Sequence, residues 1–316
     1  MSGDVLNNPL EILMSVSMMP ARESSPNLLY KAVLALMVFG PLLAILLLPF
    51  FWQDVFVKEA LIQLPIWYVI TVTAITVSFH RELTHGSLEL KPIAKYPMVV
   101  LALLALEGRA IDWCANHRKH HHYSDKEGDP HSPNLHGESI WGIIKGWGHG
   151  HVMWLFSAEK PDHKRYVPDL LEDRTLRALD RLFPLWAVLT FLLPGLSAYA
   201  LLPTWKTFWV GVLWGGVVRV FLVHHMTWSI NSICHLWGTR PFRSRDKSVN
   251  NFFFGYLAAG EGWHRNHHAF ARSARIGLRW WEFDWGWIVI RILNFFGLVK
   301  RYVVPDASQI EAKRIR

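Results

Sequence analysis

The chain has 316 residues, 51% of them hydrophobic, with 17 Trp, 18 Phe and a formal net charge of +8. The apolar residues gather in blocks close to the roughly 20 residues a helix needs to cross a bilayer, with Trp enriched at block ends, which excludes an ordinary soluble globular chain. The basic residues lie mostly between and after those blocks without a recognition-helix, zinc-finger or basic-arm pattern, so their charge sets topology and faces headgroups rather than nucleic acid.

Taken in chain order, residues 1–28 lack a basic segment followed by an apolar run, and are read as a cytoplasmic N-terminal segment without a cleaved signal peptide. Four blocks are predicted to span, at about 29–52 (with Pro41), 60–79, 182–202 (with Pro194 and Gly195) and 207–230. The loops 53–59 and 203–206 are short and nearly neutral, whereas 80–181 and the residues after 230 are long and basic. By the positive-inside rule both termini and both long segments are cytoplasmic. The apolar block 97–106 is too short to cross and is followed at once by Glu107 and Arg109. It is read as an interfacial or re-entrant helix, because a fifth crossing would separate the histidines on its two sides. The expected architecture is an all-α integral membrane protein. Four transmembrane helices lie beneath a cytoplasmic helical cap, with one domain over 29–305 and a basic tail over 306–316.

The two cysteines, Cys114 and Cys234, form no CxxC pair and are read as reduced, small structural side chains. Histidine is the outlier at 17 residues. One cluster, HRELTH, holds His80 and His85 at the end of the second span. A second holds His117, His120, His121 and His122, followed by Asp129, Pro130 and His131. A third holds His264, His267 and His268, and Asn231 with His235 extends the fourth span. In HxxHH the imidazoles stand at i, i+3 and i+4 and share one helix face, as do Asn231 and His235. HxxxxH is different, since at about 100° per residue its two rings lie roughly 140° apart on an ideal helix. They converge only if the helix ends or distorts, and Gly86 is a natural terminator.

A bland reading, in which the histidines are satisfied polar or interfacial residues, suits one HxxHH box but not two together with an HxxxxH on the same predicted side. Nine imidazoles suit two metal ions with four or five nitrogens each, and exceed the roughly four ligands of a zinc site. Imidazole accepts Fe, Zn, Cu or Ni, so the ligand type does not name the metal.

The strings HRELTH (80–85), HRKHHHYSDKEGDPHSP (117–133), TWSINSICHLWG (227–238) and GEGWHRNHHAFARSARIGL (260–278) resemble the membrane fatty acyl desaturases, specifically the Δ9 (stearoyl-type) acyl-CoA and acyl-lipid branch. The resemblance covers about 29–305. It implies a cytoplasmic di-iron centre and an O2-dependent cis desaturation of a saturated acyl chain, carried as a CoA ester or a lipid. Carried over, the iron ligands are His80, His85, His117, His120, His121, His235, His264, His267 and His268, with Asn231 reaching metal through water. Trp113 and Thr227 match positions at the bend of the acyl tunnel. The family commonly has Gln where this chain has Glu107, so hydrogen bonding or charge at that wall must differ. Two hydrogens leave adjacent carbons and O2 accepts electrons, and no HPGG-type haem segment is found. The expected partner is therefore an external donor such as a ferredoxin or cytochrome b5-type protein, docking on the basic cytoplasmic face.

Other residues carry weaker expectations. Asp129 is a candidate hydrogen-bond partner for a ligand imidazole. His122 points away from the ligand face. Arg219, His224 and His225 lie inside the fourth span, where they serve either bundle-interior hydrogen bonding or the site. His149 and His151 flank the cap, and Lys164, Arg165 and the terminal Lys313 and Arg314 are read as solvated or headgroup-facing charges. Two rival functions stay open. One is a di-iron hydroxylase, which would yield an alcohol. The other is a metal transporter, whose ligands would line a path near the bilayer midplane.

Overall fold

A computed structural model of the chain describes residues 28–157 and 160–315; the expectations for residues 1–27 lie outside the described residues. Among the described residues, four helices are long and apolar enough to cross a membrane: Lys31–Phe51, Lys58–Thr84, Phe183–Leu201 and Trp205–His235. The first contains α1 (Leu28–Leu47), an almost unbroken Leu/Ala/Val/Ile run whose Pro41 is accommodated inside the helix. The second contains α2 (Gln63–Ala74) and a π-helical continuation, Ile75–Thr84. It therefore runs five residues beyond the expected end at 79 and carries the first histidine box out on the same rod. The third span is α6 (Phe183–Leu201), with Pro194 inside it. The fourth joins α7 (Trp205–Gly211), a π-helical stretch Val212–Val218, and α8 (Arg219–Ser232).

Between the second and third spans come α3 (Pro92–Leu103), α4 (Ala110–Tyr123) and α5 (Ile140–His151). After the fourth come α9 (His264–Ala269) and α10 (Trp285–Phe295). The third and fourth spans meet the second closely at Gly215, where a Cβ would stand 2.6 Å from Pro194 Cβ and 2.8 Å from Gln63 Cβ. Small residues at such contacts let backbones approach, which is how helices gain packing where water supplies no drive. The main core then joins the second and fourth spans to α3 and α4 through Val72, Phe79, Leu103, Cys114, Leu176 and Val223. Both cysteines are buried and reduced, in line with their expected packing role.

The apolar block expected at 97–106 is the second half of α3, which starts earlier, with Pro92 in its first turn, and is shorter than a crossing. Its end is buried, so its last carbonyls need donors. Thr190 Oγ1 and Arg219 Nη1 each donate to Leu104 O at 2.8 Å. His224 Nε2 donates to the carbonyls of Ala105 and Leu106 at 3.1 and 3.0 Å. The two expensive polar groups of the fourth span are thus spent on capping α3, which resolves Arg219 and His224 as bundle-interior hydrogen bonders. His225 takes the same role, its Nδ1 lying 2.9 Å from His151 Nε2 on α5.

Two features depart from the sequence reading. A small antiparallel pair, β1 (Leu88–Leu90) with β2 (Val299–Tyr302), ties the chain after the first histidine box to the residues near the C-terminus. The basic end, though Lys313 and Arg314 stay exposed, is also tied to the body by specific contacts. Ala307–Lys313 is helical with a capping box at Asp306, Lys313 Nζ donates to Ala269 O, and Arg314 pairs with Phe242 in a β-bridge.

Candidate metal centre

The first box converges because its helix changes period. In the π-helical stretch the backbone bonds run from i+5 to i, and His85 N–H donates to His80 C=O at 3.1 Å. Residues five apart are then superposed instead of opposed, and the two ring centroids lie 4.8 Å apart. Gly86 follows at φ +56°, a left-handed position that ends the helix at low steric cost. The second box lies on α4, whose first turn is capped by Asp180 Oδ1 accepting from Ile111 N–H at 3.2 Å. Its i, i+3, i+4 spacing aims His117, His120 and His121 to one side. α9 aims His264, His267 and His268 back at them, and His235 enters from the 3₁₀ turn that prolongs α8.

These elements assemble two groups of nitrogens. His80, His85, His117, His121 and His267 form one, and His120, His235, His264 and His268 the other, with the ligand atoms in each group within 4.8 Å of one another. In the second group His235 Nε2 and His268 Nε2 each lie 3.0 Å from His264 Nε2. In the first, His267 Nε2 lies 3.1 Å from His80 Nε2 and 2.9 Å from His121 Nε2.

The outward nitrogens identify what the inward ones want. His120 Nδ1 meets Asp129 Oδ2 at 2.9 Å, His235 Nδ1 meets Asp125 Oδ2 at 2.9 Å, and His268 Nδ1 meets Asp246 Oδ2 at 3.1 Å. In the first group His80 Nδ1 lies 2.7 Å from Glu261 Oε2. An ionised carboxylate only accepts, so each of these Nδ1 atoms carries a proton and each Nε2 is the nitrogen turned to the centre of its group. Burial, then the neighbouring imidazoles, hold His85, His117, His121, His264 and His267 well below the usual histidine range, so these five are neutral and can offer lone pairs. Burial pulls Asp125, Asp129 and Asp246 upward, but their histidine partners outweigh it and keep them anionic. Lone pairs crowded at about 3 Å repel unless a cation sits among them, and carboxylate–histidine–metal triads are the usual outer arrangement of such sites. The residues fit a pair of metal ions. His85 Nε2, buried and without a hydrogen-bond partner among the described residues, fits the same purpose.

A cavity runs past both groups. Its wall includes His80 and His117 from the first and His264 from the second, with Trp113, Thr227 and Asn231 between them. Glu107 also lines it. Its Oε2 accepts from Trp113 Nε1 at 2.9 Å, and Thr227 lines the same cavity. Trp113, Thr227 and Glu107 thus line one cavity, with Trp113 and Glu107 hydrogen-bonded to each other. Burial pushes Glu107 up to about 7. A carboxyl raised in the folded state binds more protons folded than unfolded, so it lowers stability as pH rises from its unfolded value toward 7. Glu107→Gln is expected to keep the wall's shape and flatten the loss of thermal stability between pH 5 and 8, read from unfolding scans in detergent. An unchanged pH slope would show that Glu107 is ionised at little cost.

The remaining sequence candidates fall elsewhere. His122 is exposed and meets Tyr123 edge-on at 4.6 Å between ring centroids. His149 lies against His136 with the rings tilted, and His151 is buried, bonded to His225 and to Ser232 Oγ at 3.1 Å. Asp125, Asp246 and Glu261 were not singled out from the sequence. Asp125 and Glu261 each had one available signal, a place within the second and third box strings; Asp246 had none, because its contact with His268 is made only through the fold. The nitrogens gather at or beyond the ends of the second and fourth spans, away from the mid-bilayer path a transporter requires.

Comparison with known proteins adds independent support. A family profile described as fatty acid desaturase matches residues 59–287. The chain is 38% identical over 278 residues to a hex-5-enoyl-[acyl-carrier protein] acetylenase of Moorena producens, covering 87% of this chain and 86% of that protein. It is 36% identical over 274 residues to an acyl-CoA C20 Delta5-desaturase of Anemone leveillei, covering 84% and 78%. With Delta-9 acyl-lipid desaturase 1 of Arabidopsis thaliana it shares 37% over 250 residues, covering 77% and 74%.

Proposed function

The chain belongs to the fatty acid desaturase family, and on that premise we propose that it is a di-iron enzyme placing a cis double bond at Δ9 of a saturated acyl chain, held as a CoA ester or a lipid. Fatty acyl chains and O2 are the substrates the family implies. The carrying observation is one cavity whose wall includes His80 and His117 of one imidazole group and His264 of the other, beside apolar Val72, Ile75 and Met226.

His80, His85, His117, His121 and His267 would hold one iron and His120, His235, His264 and His268 the other, with Asn231 acting through water. Bound iron would supply the O2-derived oxidant that an unactivated methylene requires, since it offers neither an acidic proton nor a leaving group. The chain's own residues orient and exclude. Trp113, Thr227 and Glu107 form the polar wall at which the acyl chain bends. Val72, Ile75 and Met226 supply apolar lining that keeps water from the reacting carbons. Asp125, Asp129, Asp246 and Glu261 hold the outer protons of four ligand rings and fix their orientation.

Lipid profiling of cells expressing the chain, with double-bond positions assigned, tests this reading. A new Δ9 monoene supports it. A Δ5 product would keep the family chemistry and move the site, an acetylenic product would mean attack on an existing double bond, and an alcohol would favour the hydroxylase.

Both termini and the histidine boxes are proposed to be cytoplasmic, because the long basic segments flank the spans on one side. Cysteines placed at the exposed Lys126 and Arg272 are expected to react with an impermeant thiol reagent from the cytoplasmic side alone, against a low background from buried Cys114 and Cys234. Labelling from opposite sides would require a further crossing and would break the shared centre apart.

A further inference from the structure

Removing two hydrogens from adjacent carbons releases two electrons and two protons, whereas reducing O2 to two waters consumes four of each. Two electrons and two protons must therefore enter from outside on each turnover. On the desaturase reading, the electrons need an entry point where little protein separates solvent from the metal ligands.

Loop 239–247 has that property. On its inner side Asp246 Oδ2 accepts from His268 Nδ1 at 3.1 Å. The Lys247 backbone N–H donates at 2.7 Å to Asp125 Oδ2, the same oxygen that meets His235 Nδ1 at 2.9 Å. The loop is clamped from beneath by Arg265 of α9, whose guanidinium donates to Phe242 O at 2.7 Å and to Asp246 O at 2.8 Å. It thus touches two imidazoles of one group through single carboxylates, and is fixed to the helix that supplies two more.

Its outer side is basic. Arg240, Arg243, Arg245 and Lys247 are all exposed within eight residues, with Arg314 brought alongside by its bridge to Phe242. We propose that loop 239–247 is the docking face for a small acidic one-electron carrier protein, which delivers its electrons through the Asp246–His268 and Asp125–His235 contacts. Clustered cations raise the encounter rate of an acidic partner and orient it, and this steering weakens as salt rises. A headgroup layer would need the cations alone. The tie from the same loop to two metal-facing imidazoles is what electron entry requires and lipid contact does not.

The test uses the full chain, iron-loaded, in nanodiscs of zwitterionic phosphatidylcholine, with an acidic [2Fe–2S] ferredoxin as probe. Arg243→Glu/Arg245→Glu is expected to weaken ferredoxin binding by about tenfold or more and to erase most of its salt dependence, with Arg243→Gln/Arg245→Gln intermediate. Iron content should not change. Acyl product driven by dithionite and methyl viologen should be retained while ferredoxin-driven product falls. Unaltered ferredoxin binding in the Glu variant overturns the proposal. So does a variant whose only loss is flotation with phosphatidylglycerol vesicles, which would make the loop a membrane contact. Equal loss with both reductants also overturns it, by showing a structural role. Charge-dependent ferredoxin binding without acyl product from any reductant would leave the docking face standing and sink the desaturase reading instead.

Discussion

His264→Ala is expected to empty one metal position and bring acyl product to background while the protein still inserts and folds. His264 Nε2 lies 3.0 Å from both His235 Nε2 and His268 Nε2, so it is the common neighbour of its group. Its loss leaves three imidazoles of four, and the two nearest no longer share a third donor. Disturbing only the outer partner of a ligand typically costs about 10–100-fold in metal affinity or activity, and loss of the ligand itself should exceed that. His80→Ala, His120→Ala and His235→Ala are expected to behave alike. His121→Ala should also lose iron, because His121 Nε2 stands 2.9 Å from His267 Nε2 inside the other group. His122→Ala is the control from the next position along the same helix. Its ring is exposed on Tyr123, and surface changes of this kind usually stay within about 0.5 kcal/mol. Iron per chain by elemental analysis and product yield decide the matter together. Full activity in His264→Ala would remove it from the ligand set. Equal damage in His122→Ala would mean that α4 presents four ligands.

The pattern of what the sequence disclosed follows from where each contact is made. The two HxxHH boxes are legible because a helix places i, i+3 and i+4 together whatever the rest of the chain does. HxxxxH was legible only as a puzzle. Its convergence needs a change of helical period between Ile75 and Thr84, and no local residue preference announces a π-helical stretch. The spans could be read from length and apolarity, yet the second runs on to Thr84 because its last turns are buried in the cap rather than exposed to water. Arg219 and His224 could not be assigned from the sequence, since their purpose is set by the buried end of α3, more than a hundred residues earlier. Asp246 was invisible for the same reason, and Glu261 was marked only by its place in the third box string. A carboxylate becomes a histidine's partner through tertiary placement, and Glu261 meets His80 from a segment far away in sequence. The terminal Lys313 and Arg314 are exposed, as their charge suggests, but their ties to a carbonyl on α9 and to Phe242 are tertiary and had no local signal.

Asp129→Asn is expected to lower iron affinity by about 10–100-fold and to be rescued in part by excess iron, which His264→Ala should not be. Asp129 does two things at once. Its Oδ1 and Oδ2 face His120 Nδ1 at 3.0 and 2.9 Å, while Oδ2 also accepts from Asp125 N–H at 2.8 Å and Oδ1 from His131 N–H at 3.1 Å. All these contacts require acceptors. An asparagine offers one oxygen and one NH2, so either His120 faces a donor with its own N–H or a backbone N–H of the loop does. In the first case the imidazole can answer by moving its proton to Nε2, the nitrogen that should meet the metal. In the second the 125–131 turn loosens, and with it Asp125, which holds His235. Both routes weaken the same group of nitrogens without deleting one, which is why added iron should recover activity. The exchange Asp112→Asn, which removes the same single charge, is the comparison, because Asp112 is half exposed in its pair with His163. Iron titration at constant protein, followed by product yield, separates the outcomes. A variant that binds iron normally yet turns over slowly would place Asp129 in proton handling during the reaction rather than in ligand orientation.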